Sequence, residues 1–232
     1  MNFTFGIITD GSQDDRVRDI IASINALRIP DSYEILIVNP TTELTITLDK
    51  KVLRRIPFAD DKPLGWITRK KNVIAQEAMY ENIVFLHDYV KFEAGWYDWW
   101  ADFGGDWDIA MNVIENADGS RFRDWCFWDK PNCPNTIREP WCPEGITFEG
   151  RPQLAPYDAT NTQHMYVSGT YFLAKKQFML DNPLNENLFW GQGEDVEHSL
   201  RVRDTWKYRM NVNSRVRLMK PKDLGILPLQ CQ

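Results

Sequence analysis

The sequence predicts an α/β fold with a mainly parallel central sheet flanked by helices. Three observations carry that expectation. The chain opens strand–helix–strand, which in a parallel sheet implies a right-handed βαβ crossover. Short aliphatic runs then alternate with stretches of helical period. The strong strands also stop at small or polar residues, Thr9-Asp10-Gly11, Asn39-Pro40 and His87-Asp88, and open α/β sheets bind ligands outside the carboxyl ends of their strands.

Taken in order, Phe3 to Thr9 reads as a buried strand. A helix begins near Asp14, with Val17, Ile20, Ile21, Ile24 and Leu27 on one face at helical spacing. The chain turns at Ile29-Pro30-Asp31, and Glu34 to Val38 forms a second buried strand. Leu44 to Leu48 alternates with Thr, which fits a short further strand. A helix from about Trp66 to Tyr80 puts Ile67, Ile74 and Ala78 on its inner face. Asn82 to Leu86 is the third strong strand, and Asp106 to Val113 reads as another. From Asn116 to Gln163 periodicity is lost among Pro, Cys and Trp, and so long an irregular stretch points to a lid or substrate loop. Met165 to Ala174 resumes strand character, Lys175 to Leu180 a short helix, Gly193 to Asp204 an amphipathic helix, and Tyr208 to Val212 a last strand. With no linker or repeat, residues 1–232 are expected to form one domain.

Composition narrows the function. The net charge is −6 with no basic tract, which argues against nucleic acid as a partner, since phosphate binding needs a cationic footprint. No apolar run is long enough to span a bilayer, and the N-terminus has no basic region before an apolar one, so a cytoplasmic chain is expected. Cys126, Cys133, Cys142 and Cys231 match no zinc spacing. Free thiols are the expected state, with a zinc or disulfide staple within Cys126 to Cys142 left open. Ten Trp are present, and Trp96, Trp99, Trp100, Trp125, Trp128 and Trp141 sit in polar company, which suggests that some line a groove. There is no GxGxxG or Walker A motif.

The most informative stretch runs from Leu188 to Arg201. Phe189 and Trp190 precede a glycine turn, Gly191-Gln192-Gly193, and then Glu194 and Asp195 open a helix. Aromatic faces suit sugar rings, glycine allows close backbone approach, and a carboxylate at a helix N-terminus is held rigidly as an anion. Those are the parts of a general base beside a carbohydrate hydroxyl. Arg69, Lys70 and Lys71 form a basic cluster suited to a diphosphate, with one or two of them facing it. Arg121, Arg123, Trp125 and Trp128 fit either an acceptor site or an exposed hairpin.

The order of these motifs resembles the nucleotide-sugar glycosyltransferases of the GT-A fold, especially family-2-like inverting enzymes. Phe5 to Asp10 looks like their first nucleotide-binding strand, Ile67 to Asn72 their basic helix start, and Ile83 to Tyr89 their metal strand. Tyr166 to Thr170, Pro183 to Glu186 and Trp190 to Asp195 look like the donor-sugar strand and acceptor loop. The last of these is also similar to the acceptor loop of β-1,4-galactosyltransferases. The resemblance implies a Rossmann-like domain that takes a nucleotide sugar, a UDP-sugar foremost, and moves its sugar to a glycan or other hydroxyl with inversion. By the same resemblance, Asp195 is the base. Thr9, Asp10, Asn39, Arg69, Lys71, His87, Asp88 and Gly169 meet the donor, while Trp190, Gly193 and Glu194 meet the acceptor. Asp88 takes a divalent cation, Mn2+ or Mg2+. Residues 116–163 lie outside the resemblance, and their length and composition suggest that they shape the acceptor groove. By helical spacing His198 shares the side of Glu194 and Asp195, where it orients a carboxylate or reaches the metal, or else is a solvated surface residue. One departure stands out: His87-Asp88-Tyr89 offers a single acid where the family has two, and His is a poorer ligand for Mg2+ than for Mn2+. A carbohydrate-binding protein on the same fold, without catalysis, is the alternative. A nucleotidyltransferase is a weaker one, because Gly11 to Asp15 is acidic where that class has a basic glycine loop.

Overall fold

The computed structural model describes residues 1–62, 65–129, 151–159, 162 and 165–222. The fold is a mixed α/β sheet with helices packed on it. Strands β1 (Phe3–Ile8), β2 (Tyr33–Asn39), β3 (Leu44–Leu48) and β4 (Lys51–Pro57) form the first half, with helix α1 (Asp14–Ala26) crossing between β1 and β2. Helix α2 (Ile67–Glu77) leads into β5 (Asn82–His87), and β6 (Val90–Phe92), α3 (Trp96–Phe103) and β7 (Ile109–Glu115) follow. Then come β8 (Cys126–Asp129), β9 (Arg151–Leu154), β10 (Met165–Tyr166), β11 (Tyr171–Lys175), α4 (Lys176–Asp181), α5 (Glu194–Val202) and β12 (Tyr208–Leu218). The main sheet runs β3-β4-β2-β1-β5-β11-β7-β12-β6, and a small sheet runs β10-β8-β9.

β1, wholly buried, lies between β2 and β5 and parallel to both. β4 extends this parallel block beyond β2. β11 then pairs antiparallel with β5 and β7, so the sheet changes sense beside the strand that ends in His87. Gly6 lets α2 sit close to the sheet: a Cβ there would come within 2.4 Å of the Ile74 side chain. Among the described residues no helix is long and apolar enough to cross a membrane.

Several expectations change. β4 is absent from the sequence reading because its Arg54 and Arg55 look unlike a strand interior. Arg54 is compensated, donating to Glu34 at 2.9 Å and to Glu77 at 2.9 Å. The tryptophans of α3 belong to the core rather than a groove: Trp96 and Trp100 are fully buried, and Trp96 meets Phe3 and Phe92 edge-on. Such side chains each remove roughly 150–250 Å² from water, worth about 4–6 kcal/mol at about 25 cal/mol per Å² before ordering costs. Trp125 is buried too, against Tyr208, whereas Trp99 is exposed. Met165 to Ala174 is not one strand but two, β10 and β11, in different sheets. The last strand runs on past Val212 to Leu218, through an irregularity between Asn211 and Arg215. Trp141, Cys133, Cys142 and Cys231 lie outside the described residues; Cys126 is a buried free thiol.

Candidate active site

Two cavities adjoin at the carboxyl ends of β1 and β5, and share Ile67, His87, Tyr89 and Trp190 as walls. The larger, about 540 Å³, is lined by Thr9, Asp10, Asp60, Lys70, Asp88 and Lys220. The smaller, about 190 Å³, is lined by Arg123, Tyr166, Gly169, Thr170, Gly193, Glu194, Asp195 and Lys222.

The larger cavity is acidic at its floor. Thr9 donates through Oγ1 to Asp88 Oδ2 at 2.7 Å. Burial raises the Asp88 pKa, and the nearby Asp10 charge adds to it against the Thr9 hydrogen bond. Asp10 is held low by accepting from the Ser12 hydroxyl and backbone N–H. Asp10, at the end of β1, thus lines the larger cavity together with Asp88. Asp10 and Asp88 are two oxygen donors, and no third His, Cys, Asp or Glu completes a metal cluster among the described residues. Two carboxylates alone do not cage a divalent cation, which would need further oxygen donors from outside the protein.

The smaller cavity is built around a break in strand pairing. Between β10 and β11 the segment Ser168-Gly169-Thr170 leaves the ladder and runs under the N-terminus of α5. Gly169 donates its N–H to Asp195 Oδ2 at 2.8 Å. Its carbonyl accepts from Lys71 Nζ at 2.8 Å, and the same ammonium lies 3.7 Å from Glu194 Oε1. Gly193 caps the helix at φ 67°, a left-handed conformation that suits glycine. Glu194 is buried, and burial with the adjacent Asp195 charge pushes its pKa up to about 7 despite Lys71. Lys71, fully buried, is lowered by burial and supported by Glu194 and Asp195. His87 is held well below its usual value by burial and by Lys71, Lys222 and Lys220, so it is a neutral imidazole at pH 7.

Gly169 is required by contact rather than by backbone angle. A Cβ there would stand 2.7 Å from Glu194 Oε1 and 3.1 Å from Asp195 Oδ2. Gly169→Ala is therefore expected to displace the carboxylate pair and to lower stability by about 1–3 kcal/mol. Thermal unfolding together with a transfer assay checks this, and an active, equally stable variant would refute the contact.

No protein-family model matches the chain, and no curated protein matches it in sequence. Solved structures do match in fold. The crystal structure of GalNAc-T7 with UDP, GalNAc and Mn2+ aligns with a TM-score of 0.61 at 12% identity, over 96% of this chain and 44% of that one. S. aureus TarS 1-349 in complex with UDP-GlcNAc gives 0.60 at 12% identity, over 98% of this chain and 61% of that one. This chain has the GT-A fold. It spans less than two thirds of the length of either structure.

On this GT-A framework the sequence-derived site residues separate into two groups. Thr9, Asp10, His87, Asp88, Gly169, Trp190, Gly193, Glu194 and Asp195 converge on the two cavities. Trp190, 46% exposed, offers an open ring to both. Asn39 is turned inward instead, buried, with Oδ1 accepting from Thr41 at 2.7 Å. Arg69 points away to Glu186 at 2.6 Å, and Lys71 lies beneath the smaller cavity, bound to the Gly169 carbonyl. Lys70 is the member of that cluster that lines a cavity, bridging Asp60 at 2.6 Å and the Thr9 carbonyl at 3.1 Å.

His198 is not a surface residue and lines neither cavity. It is 1% exposed, and its Nε2 is engaged with the Asn182 carbonyl at 2.8 Å. Burial lowers its pKa to about 4, so it is a neutral anchor of α5. In the long loop, Arg123 lines the smaller cavity, while Arg121 lies over Tyr157 and pairs with Asp124. Lys220 and Lys222 escaped sequence reasoning, and Tyr89 and Tyr166 entered it only as the ends of motif segments. The only hint of the lysines was the alternation Lys220-Pro221-Lys222 just after the last strand.

Proposed function

We propose that this chain is a glycosyltransferase that moves a sugar from a nucleoside diphosphate sugar, a UDP-sugar foremost, to a hydroxyl of a glycan or other acceptor. The observation that carries the reading is the pairing of two adjoining cavities. One has a floor formed by Asp10 and Asp88, and the other a wall formed by Glu194 and Asp195. The nucleotide and diphosphate occupy the larger cavity, the transferred sugar lies near Gly169, and the acceptor stands against Trp190.

The acceptor oxygen attacks the anomeric carbon from the side opposite the diphosphate, which inverts that centre. As the new C–O bond forms, the bond from the anomeric carbon to the phosphate oxygen breaks, and its electron pair leaves with the diphosphate. The acceptor proton passes to the carboxylate pair, with Asp195 as base. Glu194 tunes that pair, because a proton-accepting site works best with a pKa near the working pH. Asp88 and Asp10 would hold Mn2+ or Mg2+ together with the donor phosphates, supplying charge neutralisation. The neutral His87 lines both cavities as an uncharged hydrogen-bonding group.

A thermal-shift panel of nucleotide sugars, with chelator, Mg2+ or Mn2+, tests the assignment. A matching donor at about 100 times its Kd stabilises by about 2.7 kcal/mol, a rise of roughly 5–10 °C for a chain of this size. Asp88→Ala is expected to abolish that rise. A panel in which no donor shifts the protein, while glycans do, would replace the enzyme with a carbohydrate-binding protein.

A further inference from the structure

Lys220 and Lys222 follow β12 and flank one aromatic ring. Lys220 Nζ lies 4.1 Å from the centre of the Tyr89 ring and Lys222 Nζ 4.4 Å from it. Tyr89 is buried and belongs to the wall common to both cavities. Lys220 reaches into the larger cavity and Lys222 into the smaller. The arrangement is anchored: Lys222 donates to the Tyr89 hydroxyl at 2.5 Å, and its backbone N–H and carbonyl are both held by Asn116 at 2.9 Å. Neither ammonium is in direct ion-pair contact with a carboxylate among the described residues, although Lys220 feels the Asp88 charge and Lys222 those of Asp195 and Glu194. Two like charges gathered on one ring repel each other unless an anion joins them. They meet where the larger cavity opens into the smaller, which is where a diphosphate crossing from nucleotide to sugar would lie.

Resting on the transferase reading, we propose that Lys220 and Lys222 bind the donor diphosphate and neutralise the charge it gains on leaving, as a cation pair built into the protein. Tyr89 acts as a positioning residue that holds the two ammonium groups apart, one on each side of the passage between cavities. In the transfer step the phosphate oxygen departs with the bonding electron pair and gains one negative charge. The lysines meet that charge without giving up a proton, in a partly desolvated setting where fixed charges act most strongly. A cation held by Asp10 and Asp88 would add to this charge rather than substitute for it.

The test compares nucleoside diphosphates with their monophosphates (UDP with UMP, and the GDP, CDP and ADP pairs alongside) by calorimetric titration of the full chain in chelator. The wild type is expected to prefer the diphosphate by at least about tenfold without added metal. Lys220→Gln with Lys222→Gln should bring that preference close to one and leave monophosphate affinity unchanged. Lys220→Arg with Lys222→Arg should restore most of it, which separates charge from misfolding. A diphosphate preference that survives in the glutamine variant, or that appears in the wild type only with Mn2+ or Mg2+, would overturn the lysine pair and leave the transferase reading standing. Failure of the wild type to bind any of the nucleotides would overturn both.

Discussion

Asp195→Asn is expected to keep donor affinity and to lose transfer by roughly 10²–10⁴-fold, the usual contribution of a positioned general base. The retention follows from geometry. Asn preserves the oxygen that accepts the Gly169 N–H at 2.8 Å, so Gly169 and the sugar subsite stay in place. The loss follows from chemistry, since a neutral amide cannot take the acceptor proton. Nucleotide-sugar affinity, measured beside transfer or donor hydrolysis, separates the two; a variant retaining more than a tenth of wild-type turnover would remove Asp195 from the role. The pH profile gives a second readout. Because the Glu194 pKa is raised to about 7, the wild-type rate should climb as pH rises through that value and Glu194 becomes fully ionised. Glu194→Gln should flatten that limb.

Lys71→Ala should be the most destabilising substitution at the site. Lys71 is 1% exposed, and its ammonium is the cation beside the buried Glu194. Removing one member of a buried pair leaves the other uncompensated, at a cost of about 3–5 kcal/mol, or a fall in Tm on the order of 10 °C. The loss should depend on pH in a defined direction. Without the ammonium, the Glu194 pKa rises further above its unfolded value. A raised acid contributes stability that is present below the unfolded pKa and lost as pH climbs through the folded one. The deficit of Lys71→Ala relative to wild type should therefore be smaller at pH 5 than at pH 8. Thermal unfolding across that range checks it, and a deficit that is flat or larger at pH 5 would show that Lys71 acts through packing instead.

How far the molecule was legible beforehand follows from where each polar group finds its partner. β1, α1, β2 and β5 bury aliphatic side chains in regular periods, so local pattern suffices. β4 does not show, because Arg54 is satisfied by Glu34 and Glu77 from other elements. The α3 tryptophans mislead for the opposite reason: Asp98 and Asp102 make a core-packed helix look like a polar groove. At the site, Glu194 and Asp195 stand out because glycine and aromatic neighbours accompany them. Asn39 and His198 carry equally suggestive side chains but spend them on Thr41 and Asn182, contacts that no local window reveals. Asp10 joining Asp88 is likewise a product of β1 lying beside β5. The GT-A resemblance placed the motifs along the chain, but it did not distinguish Lys70, which lines a cavity, from Arg69, which does not.

The two consecutive lysines of α2 also constrain how this site can change. Lys70 grips the carbonyl of Thr9 at 3.1 Å, and Lys71 that of Gly169 at 2.8 Å. On the same helix Thr68 holds the Leu188 carbonyl at 2.6 Å, and Asn72 that of Leu184 at 2.9 Å. One helix thus rivets three stretches of chain that are far apart in sequence, and Gly6 lets that rivet sit flush on the sheet. A substitution that shifts the Gly169 segment will pull on the Thr9 end of the larger cavity through this single part. On the transferase reading, drift in acceptor preference must then come from side chains that hang free of the rivet, such as Trp190, while the frame itself stays in place.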